Sequence, residues 1–419
     1  MIGFIPRPIM NPLFAPCRPR VAIASVAGLL IVATADLSAQ MTFFGLGLNT
    51  GQPSGVSNDG NVVVGQTPDG GSFRWSHANG SASLEFFSSQ MSPIVGVSAD
   101  GNVMAGMTSG QPYRWTQSGG AVPLGVPAGT TDVSVRAISA SGTAIVGRAY
   151  ATGAGGTGEG WRAYRWTEAE GYRDLGTFQK PSGDANPMAM ATAVSADGSM
   201  VAGVGSNPSG WTTFVWTEAG GLIDLHRGSA IDTPRAISGD GRTIVGGASF
   251  SGGYPEAYRW TAEEGFVRLA TRFDLAALNS QARAVSFDGT LIVGDTVWGD
   301  NGFIWSPASG VRDFLDVLQT DYQLRAQLTG WETLNPFAMS LDGRFIAGSG
   351  FFNGQAEAWL LDRGLNPPDI LPPPPPPPPP ITPVPEPATY GVMAAAFLLG
   401  LTIWRRRRRS GPSAGTMLS

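Results

Sequence analysis

The sequence predicts an all-β fold, a β-propeller of seven four-stranded blades closed by the N-terminal strand and followed by a Pro-rich linker and one C-terminal transmembrane helix. Three observations predict the propeller. An eleven-residue pattern occurs seven times, a tryptophan follows each copy, and a strand-like segment before the first copy can supply the fourth strand that the last copy lacks. Repeats of about 40 to 50 residues are typical of propeller blades.

Residues 1–39 have the features of a secretory signal peptide. Three arginines and no acidic residue precede the apolar run from Val21 to Ala35, an arrangement typical of export signals. Cleavage is expected after Ala39, with Ala35 as the alternative. The single cysteine, Cys17, leaves with this segment, so the mature chain has neither a disulfide nor a thiol nucleophile.

The repeated pattern reads small-apolar-Ser-x-Asp-Gly-x-x-apolar-Val/Ala-Gly. Its copies are Gly55–Gly65, Gly96–Gly106, Ala137–Gly147, Ala193–Gly203, Ala236–Gly246, Ala284–Gly294 and Ala338–Gly348. Asp-Gly between two apolar runs predicts a type I′ hairpin turn between antiparallel strands; only the third copy departs, with Ser141-Gly142. The run after the turn, such as Leu291 to Val293, is apolar without alternation, which predicts a strand covered on both faces.

The tryptophan after each copy predicts the packing between blades. The seven are Trp75, Trp115, Trp166, Trp216, Trp260, Trp305 and Trp359. In segments such as Tyr258–Trp260 the period of two puts both aromatic residues on one face and the arginine on the other. These aromatic residues are expected in the core between neighbouring sheets, with carbohydrate stacking as the alternative. The Asp-Gly spacings of 41, 41, 56, 43, 48 and 54 residues predict blades with insertions.

Three further segments complete residues 40–364, the predicted propeller domain. Thr42 to Gly47 is expected to pair with the last blade, because ring closure leaves no free sheet edge there. Apolar residues at helical spacing from Phe314 to Leu324 predict a short helix between the sixth and seventh units. The insert Tyr150 to Gly160, rich in glycine, alanine and threonine, predicts a mobile loop.

The C-terminal end has a fixed order of parts. A Pro-rich linker, 365–383, is expected to form a polyproline II rod. The tail 384–410 then contains a four-residue motif, an apolar stretch 388–404 and an arginine cluster, and a short cytoplasmic end, 411–419, follows. The motif and cluster residues are Val384, Pro385, Glu386, Pro387, Arg405, Arg406, Arg407, Arg408 and Arg409. Seventeen apolar residues give a helix of about 25 Å, near the lower limit for a membrane span, and the arginines are expected to stay cytoplasmic.

The tail resembles the PEP-CTERM sorting signal of Gram-negative bacteria over Val384 to Arg409. The resemblance implies recognition by an exosortase, a membrane transpeptidase, followed by cleavage near Pro385-Glu386-Pro387. The protein would insert transiently in the membrane and then reach the cell surface or extracellular matrix. A plain single-span anchor is the alternative.

The repeats resemble the HAF repeats of secreted bacterial proteins. The residues that carry this resemblance include Ala236–Gly246 followed by Ala257–Trp260, and it covers roughly Thr42 to Asp362. It implies an exported repeat protein and no particular reaction. An exported binding or scaffold protein of the surface or matrix, with extracellular polysaccharide as a partner, is therefore the expected function.

The inventory of chemical groups favours binding over catalysis. Without the eight terminal arginines, Asp36 and Glu386, the 27 basic and 32 acidic residues fall to 19 and 30, a net charge near −11 that disfavours nucleic acid as a partner. The two histidines, His77 and His226, have no ligand-like neighbours, so no zinc site and no cofactor are expected. Calcium in the Asp-Gly turns is an open alternative.

An enzyme is the alternative function. A glycan-active enzyme would need carboxylates at the channel mouth of the propeller. The candidates in the long loops are Asp184, Asp232, Glu256 and Asp300. A role in sensing or signalling is a third alternative.

Overall fold

The computed structural model of the protein describes residues 41–49, 51–67, 69–83, 94–153, 159–178, 188–207, 209–225, 233–249, 254–269, 280–296 and 301–370. These residues form seven four-stranded antiparallel sheets, which confirms the predicted seven-bladed propeller. Within these ranges no helix is both long enough and apolar enough to cross a membrane. The predicted signal peptide, most of the predicted linker and the whole predicted sorting tail lie outside the described residues.

The strands follow the repeats. Strand β1 (Thr42–Asn49) comes first in the chain and belongs to blade 7. Blade 1 contains β2 (Gln52–Val56), β3 (Val62–Gln66), β4 (Ser72–Ser76) and β5 (Gly80–Ser83). Blade 2 contains β6 (Ile94–Val97), β7 (Val103–Thr108), β8 (Gln111–Thr116) and β9 (Gly120–Pro123). Blade 3 contains β10 (Thr130–Ile138), β11 (Ala144–Thr152), β12 (Glu159–Thr167) and β13 (Gly171–Asp174). Blade 4 contains β14 (Ala189–Val194), β15 (Met200–Asn207), β16 (Gly210–Thr217) and β17 (Gly221–Asp224).

The remaining blades have the same order. Blade 5 contains β18 (Thr233–Ile237), β19 (Ile244–Ala248), β20 (Glu256–Thr261) and β21 (Gly265–Arg268). Blade 6 contains β22 (Ser280–Val285), β23 (Ile292–Thr296), β24 (Phe303–Ser306) and β25 (Gly310–Asp313), and helix α1 (Phe314–Thr320) follows it. Blade 7 contains β26 (Trp331–Met339), β27 (Phe345–Phe352) and β28 (Gln355–Asp362), and its fourth strand is β1.

The N-terminal strand closes the ring as predicted. Strand β1 pairs antiparallel with β28, with Thr42 opposite Asp362 and Phe43 opposite Leu361. The buried ring of Phe43 lies 5.3 Å from that of Trp331 and 5.4 Å from that of Trp359. Blade 7 is therefore built from both ends of the domain, and its stability depends on the first described residues of the chain.

The seven tryptophans pack between blades. Trp115 packs against a cluster that contains Val62 and Val64 of the preceding blade, and Trp305 packs against one that contains Val245 of blade 5. The other five lie in equivalent clusters, and Trp359 is fully buried. The predicted packing between sheets is confirmed for all seven; Trp75 and Trp216 are buried as well, and the other four are half-buried at the edges of the clusters. The second strands are also largely buried, as predicted, and all five residues of β19 are buried.

The hairpin turns differ from the predicted type. In the Asp-Gly turns of the repeat the glycine, such as Gly60, has a positive φ, and the aspartate does not. A type I′ turn needs positive φ at both central residues, so that prediction is wrong. The loop spans four residues between Ser57 and Val62: the Ser57 hydroxyl accepts the Val62 N–H at 3.0 Å and donates to Asp59 at 2.6 Å. These side-chain hydrogen bonds stabilise the wider loop, which explains why serine is part of the pattern.

The turn aspartates are acidic because they accept several hydrogen bonds. The Ser98 hydroxyl and then the Asn102 N–H hold the pKa of Asp100 below its usual value. The N–H of Ser199 and then the Ser195 hydroxyl lower the pKa of Asp197 in the same way. Charge-assisted hydrogen bonds of this kind favour the ionised carboxylate.

Hydrogen bonds also join neighbouring turns around the ring. The Asn58 N–H donates to the Ala99 carbonyl at 2.8 Å, and the Ala99 N–H donates to the Ala140 carbonyl at 2.7 Å. Between the last and first blades, the Leu341 N–H donates to the Asn58 side-chain oxygen at 2.9 Å. The turns therefore form one face of the propeller, the turn face. The opposite face, where the second strand of each blade connects to the third, is the mouth face.

The structure also describes the predicted helix and part of the predicted loop insert. Helix α1 is confirmed, and Phe314 stacks on Trp359 with ring centroids 5.3 Å apart. The insert from Tyr150 to Gly160 is not a loop throughout, because β11 runs to Thr152 and β12 begins at Glu159. The cross-strand contact of Tyr150 with Trp161, 5.4 Å between rings, stabilises this longer hairpin.

Ordered packing continues past the last strand. Arg363 is buried and donates to the Tyr322 hydroxyl at 2.9 Å and to the Gly343 carbonyl at 2.8 Å. Ile370 is only 5% exposed and belongs to the core cluster of helix α1. Six residues of the segment assigned by sequence to the linker are therefore described, and of these Ile370 is buried against the propeller, whereas Leu365 is 66% exposed.

Candidate functional site

The innermost strand of every blade contains one bulged residue. In blade 3, Val135 pairs with Gly147 and Ala137 pairs with Val146, so Arg136 has no partner on β11. The same irregularity recurs at the equivalent position of each blade. The seven residues are Ser54, Val95, Arg136, Thr192, Arg235, Arg283 and Phe337. A bulge of this kind re-aims one side chain without ending the strand.

The last glycine of the repeat makes the bulge sterically feasible. A Cβ atom built on Gly147 would overlap the Ser134 carbonyl oxygen, and one on Gly246 would overlap the Thr233 carbonyl oxygen. Blades 1, 4, 6 and 7 show the same close approach of the first strand to this glycine. The repeat therefore uses glycine here so that the backbones can approach closely.

The seven bulged residues line the central channel. All of them border a cavity of ≈ 520 Å³ that opens toward the mouth face. Six of them, all but Thr192, also border a second cavity of ≈ 220 Å³ nearer the turn face. The larger volume is in the range of small-ligand sites. The fold thus presents one variable side chain per blade to a ligand-sized space.

Arginines dominate the charge of this channel. Arg136, Arg235 and Arg283 are bulged residues, and Arg148 joins them from β11. Arg283 forms a bidentate ion pair with Asp295, with N–O distances of 2.7 and 2.8 Å. By contrast, among the described residues Arg136 and Arg235 form no hydrogen bond or ion pair with the protein.

The arginines affect one another. Burial against the channel wall lowers the pKa of Arg235, and the Arg283 cation lowers it further, although its side chain still reaches channel water. Burial and then the Arg136 cation lower the pKa of Arg148. In both cases burial of the guanidinium is the largest cause and a neighbouring cation adds to it, while the carboxylates of Asp295 and Asp132 oppose the shifts of Arg235 and Arg148.

Flat apolar side chains border the same cavity. Trp211 and Phe337 line it, and the Arg283 guanidinium lies 5.5 Å from the Phe337 ring centre. Arg148 lies 4.1 Å over the Trp161 ring, and its Nη1 is 2.9 Å from the Met190 sulfur. Planar cations next to aromatic faces can recognise a ligand that is both anionic and ring-shaped.

The residues proposed from the sequence lie elsewhere. Glu256 is buried at the start of β20 and forms an ion pair with Arg268 of β21, away from the channel. His77 is exposed and its ring lies 4.7 Å from that of Trp75. His226, Asp184, Asp232 and Asp300 lie outside the described residues. So do the sorting-motif residues Val384 to Pro387 and Arg405 to Arg409.

The sequence analysis did not predict the channel arginines, because the constant positions of the repeat indicate turns and packing and not the side chains that face the channel. The residue directly before the pattern is Ser, Val, Arg, Thr, Arg, Arg and Phe in the seven copies. One variable position directly before the constant ones, occupied three times by arginine, was the available signal. Its orientation depends on the bulge, which the pattern did not reveal.

Comparison with known proteins supports the fold. No family model matches the sequence, and a search of curated proteins finds no match. The solved structures include an oligogalacturonate lyase from Vibrio parahaemolyticus, which is 13% identical with a TM-score of 0.50 over 77% of this chain and 97% of that chain. An oligogalacturonate lyase in complex with manganese is 13% identical with a TM-score of 0.47, over 77% and 96%. TolB from Acinetobacter baumannii is 14% identical with a TM-score of 0.40, over 74% and 63%.

Proposed function

We propose that the protein is an exported binding or scaffold protein of the cell surface or extracellular matrix, sorted by an exosortase and presenting its channel to extracellular polysaccharide. The observation that carries this proposal is the placement of the chain ends relative to the channel mouth. Thr42 pairs with Asp362 at the turn face. Beyond Asp362, the segment from Pro367 to Ile370 borders the Asp288 turn on that same face.

This placement suits a domain held by a C-terminal tail. The larger channel cavity opens on the mouth face, opposite to the point where the described chain ends. A tail on the turn face would leave the mouth face directed away from the membrane, before and after processing. The overall acidity of the body, together with a cationic channel, favours a ligand that enters the channel over one that coats the surface.

The test is cysteine labelling on intact cells of a host that has an exosortase. The mature chain contains no cysteine, so Gln111→Cys on the mouth face and Asn79→Cys on the turn face give single labelling sites. We expect a membrane-impermeant maleimide to label Gln111→Cys without cell lysis. A bulky maleimide should label Asn79→Cys more slowly while the tail holds the protein, and at the same rate after release.

Labelling of both variants only after lysis would reject the surface location. Equal rates for the two variants on tail-held protein would reject the proposed orientation.

A secreted glycan-active enzyme is the second candidate function. The arginine-rich channel favours it, because an enzyme that cleaves an acidic sugar must neutralise the sugar carboxylate. By its name the Vibrio parahaemolyticus protein acts on oligogalacturonate. At 13% identity its likeness supports the fold, and an activity of that class is proposed for this protein only as the second candidate. Asp295, which is engaged by Arg283, would need release to act as a base. Incubation with acidic oligosaccharides and mass spectrometry of the products tests this candidate.

A further inference from the structure

The charge of the channel is opposite to that of the protein. The described residues that line the two cavities include Arg136, Arg148, Arg235 and Arg283 and no aspartate or glutamate. The body as a whole carries a net charge near −11 by the count given above. A narrow channel with cationic walls concentrates positive potential and attracts anions.

Two of these arginines are available to a ligand. The Asp295 carboxylate occupies the fork of Arg283, and the Trp161 ring covers one side of Arg148. Arg136 on blade 3 and Arg235 on blade 5 have no such partner in the described part of the chain. Both are exposed to the channel. Their planar donors match the geometry of a carboxylate.

The rest of the cavity suits a sugar ring. Trp211 and Phe337 border the same ≈ 520 Å³ space as Arg136 and Arg235. An inorganic anion would bind the arginines without contacting these aromatic faces, whereas a sugar acid would contact both.

We propose that the channel is a binding site for a carboxylated sugar, in which Arg136 and Arg235 bind the carboxylate and the neighbouring aromatic side chains contact the ring. This inference rests on the proposed binding function and names its ligand class. It differs from a general affinity for polysaccharide because it requires the carboxylate.

Isothermal titration calorimetry of the purified full chain in detergent tests the proposal. The probes are a galacturonic-acid trisaccharide, the galactose trisaccharide and inorganic sulfate. The two trisaccharides differ because the first has a carboxylate where the second has a hydroxymethyl group. We expect binding of the acidic trisaccharide, at least roughly 10-fold weaker binding of the neutral one, and weakening of the former by added salt.

Matched variants locate the site. Arg136→Gln and Arg235→Gln should each weaken binding of the acidic trisaccharide on the order of 10-fold. Arg136→Lys keeps the charge but not the fork, so its affinity should be intermediate. Arg242→Gln removes the same charge from an exposed turn-face residue and should change the affinity by less than about 2-fold.

The outcomes separate this inference from the proposed function. Equal affinity for the acidic and neutral trisaccharides, or no effect of either glutamine variant, would overturn the carboxylate site. Sulfate binding as tight as that of the acidic trisaccharide would reduce the channel to a general anion site. Neither result bears on surface location, which the cysteine labelling measures separately.

Discussion

The burial of Phe43 gives a quantitative test of ring closure. Its side chain is 4% exposed and its ring contacts Trp331 and Trp359, so Phe43→Ala leaves a cavity in the seam between β1 and β28. Removal of a buried phenylalanine ring costs about 3 to 5 kcal/mol of unfolding free energy. The main-chain pairing of Phe43 with Leu361 stays possible, so the loss measures packing alone.

Phe351→Ala is the matched control, because this phenylalanine lies in the same sheet on β27 but is 47% exposed. It should cost less than about 1 kcal/mol. Urea unfolding of the purified protein, followed by tryptophan fluorescence and circular dichroism, gives both values. A change of under 1 kcal/mol for Phe43→Ala, or equal changes for the two variants, would refute the view that the N-terminal strand closes the propeller.

Three further predictions concern the repeat and the tail. Gly147→Ala should destabilise the protein by at least about 2 kcal/mol, because its Cβ would overlap backbone. The control Gly354→Ala, at a positive φ in open space, should cost about 1 kcal/mol. Equal urea midpoints for the two variants would argue against the bulge. The pKa values of Asp100 and Asp197 are lowered in the fold, so their stabilisation is complete above about pH 4 and is lost as the pH falls through the lowered values. Asp100→Ser with Asp197→Ser should flatten the decline of the urea midpoint in acid, and an unchanged decline would contradict this assignment. Finally, Glu386→Ala should leave a longer, membrane-retained form in a host with an exosortase. If mass spectrometry finds the same C-terminus in the wild-type protein and in the variant, a plain anchor is favoured.

The blade count and ring closure could be predicted because their signals are local and repeated. The tryptophan after each copy packs into the preceding blade, and a segment such as Thr42 to Gly47 is readable as a strand wherever it pairs. The turn class was not predictable in the same way, because Asp-Gly is compatible with both the narrow and the wide loop. The choice depends on the hydrogen bonds of the preceding serine, as at Ser57.

The hairpin of blade 3 shows a different limit. Small and flexible residues between Tyr150 and Gly160 favour a loop when composition is considered alone. The strands nevertheless pair, because Tyr150 contacts Trp161 and the Arg148 guanidinium packs on the Trp161 ring. Such cross-strand contacts become visible only when the register of β11 and β12 is known.

Because of the bulge, the residues that form the blade and the residue that faces the channel occupy different positions of the repeat. Constant residues of the repeat form the turns and the close backbone contact at its last glycine, so the bulged position carries little of the packing and can vary. Its arginines lie in blades 3, 5 and 6, whereas blades 1, 2 and 7 contribute Ser54, Val95 and Phe337. The channel is therefore cationic on one side and neutral or apolar on the other. A carboxylated ring that enters it has one favourable orientation, with its charge toward Arg136 and Arg235, and that asymmetry follows from sequence changes at a single position of an otherwise regular repeat.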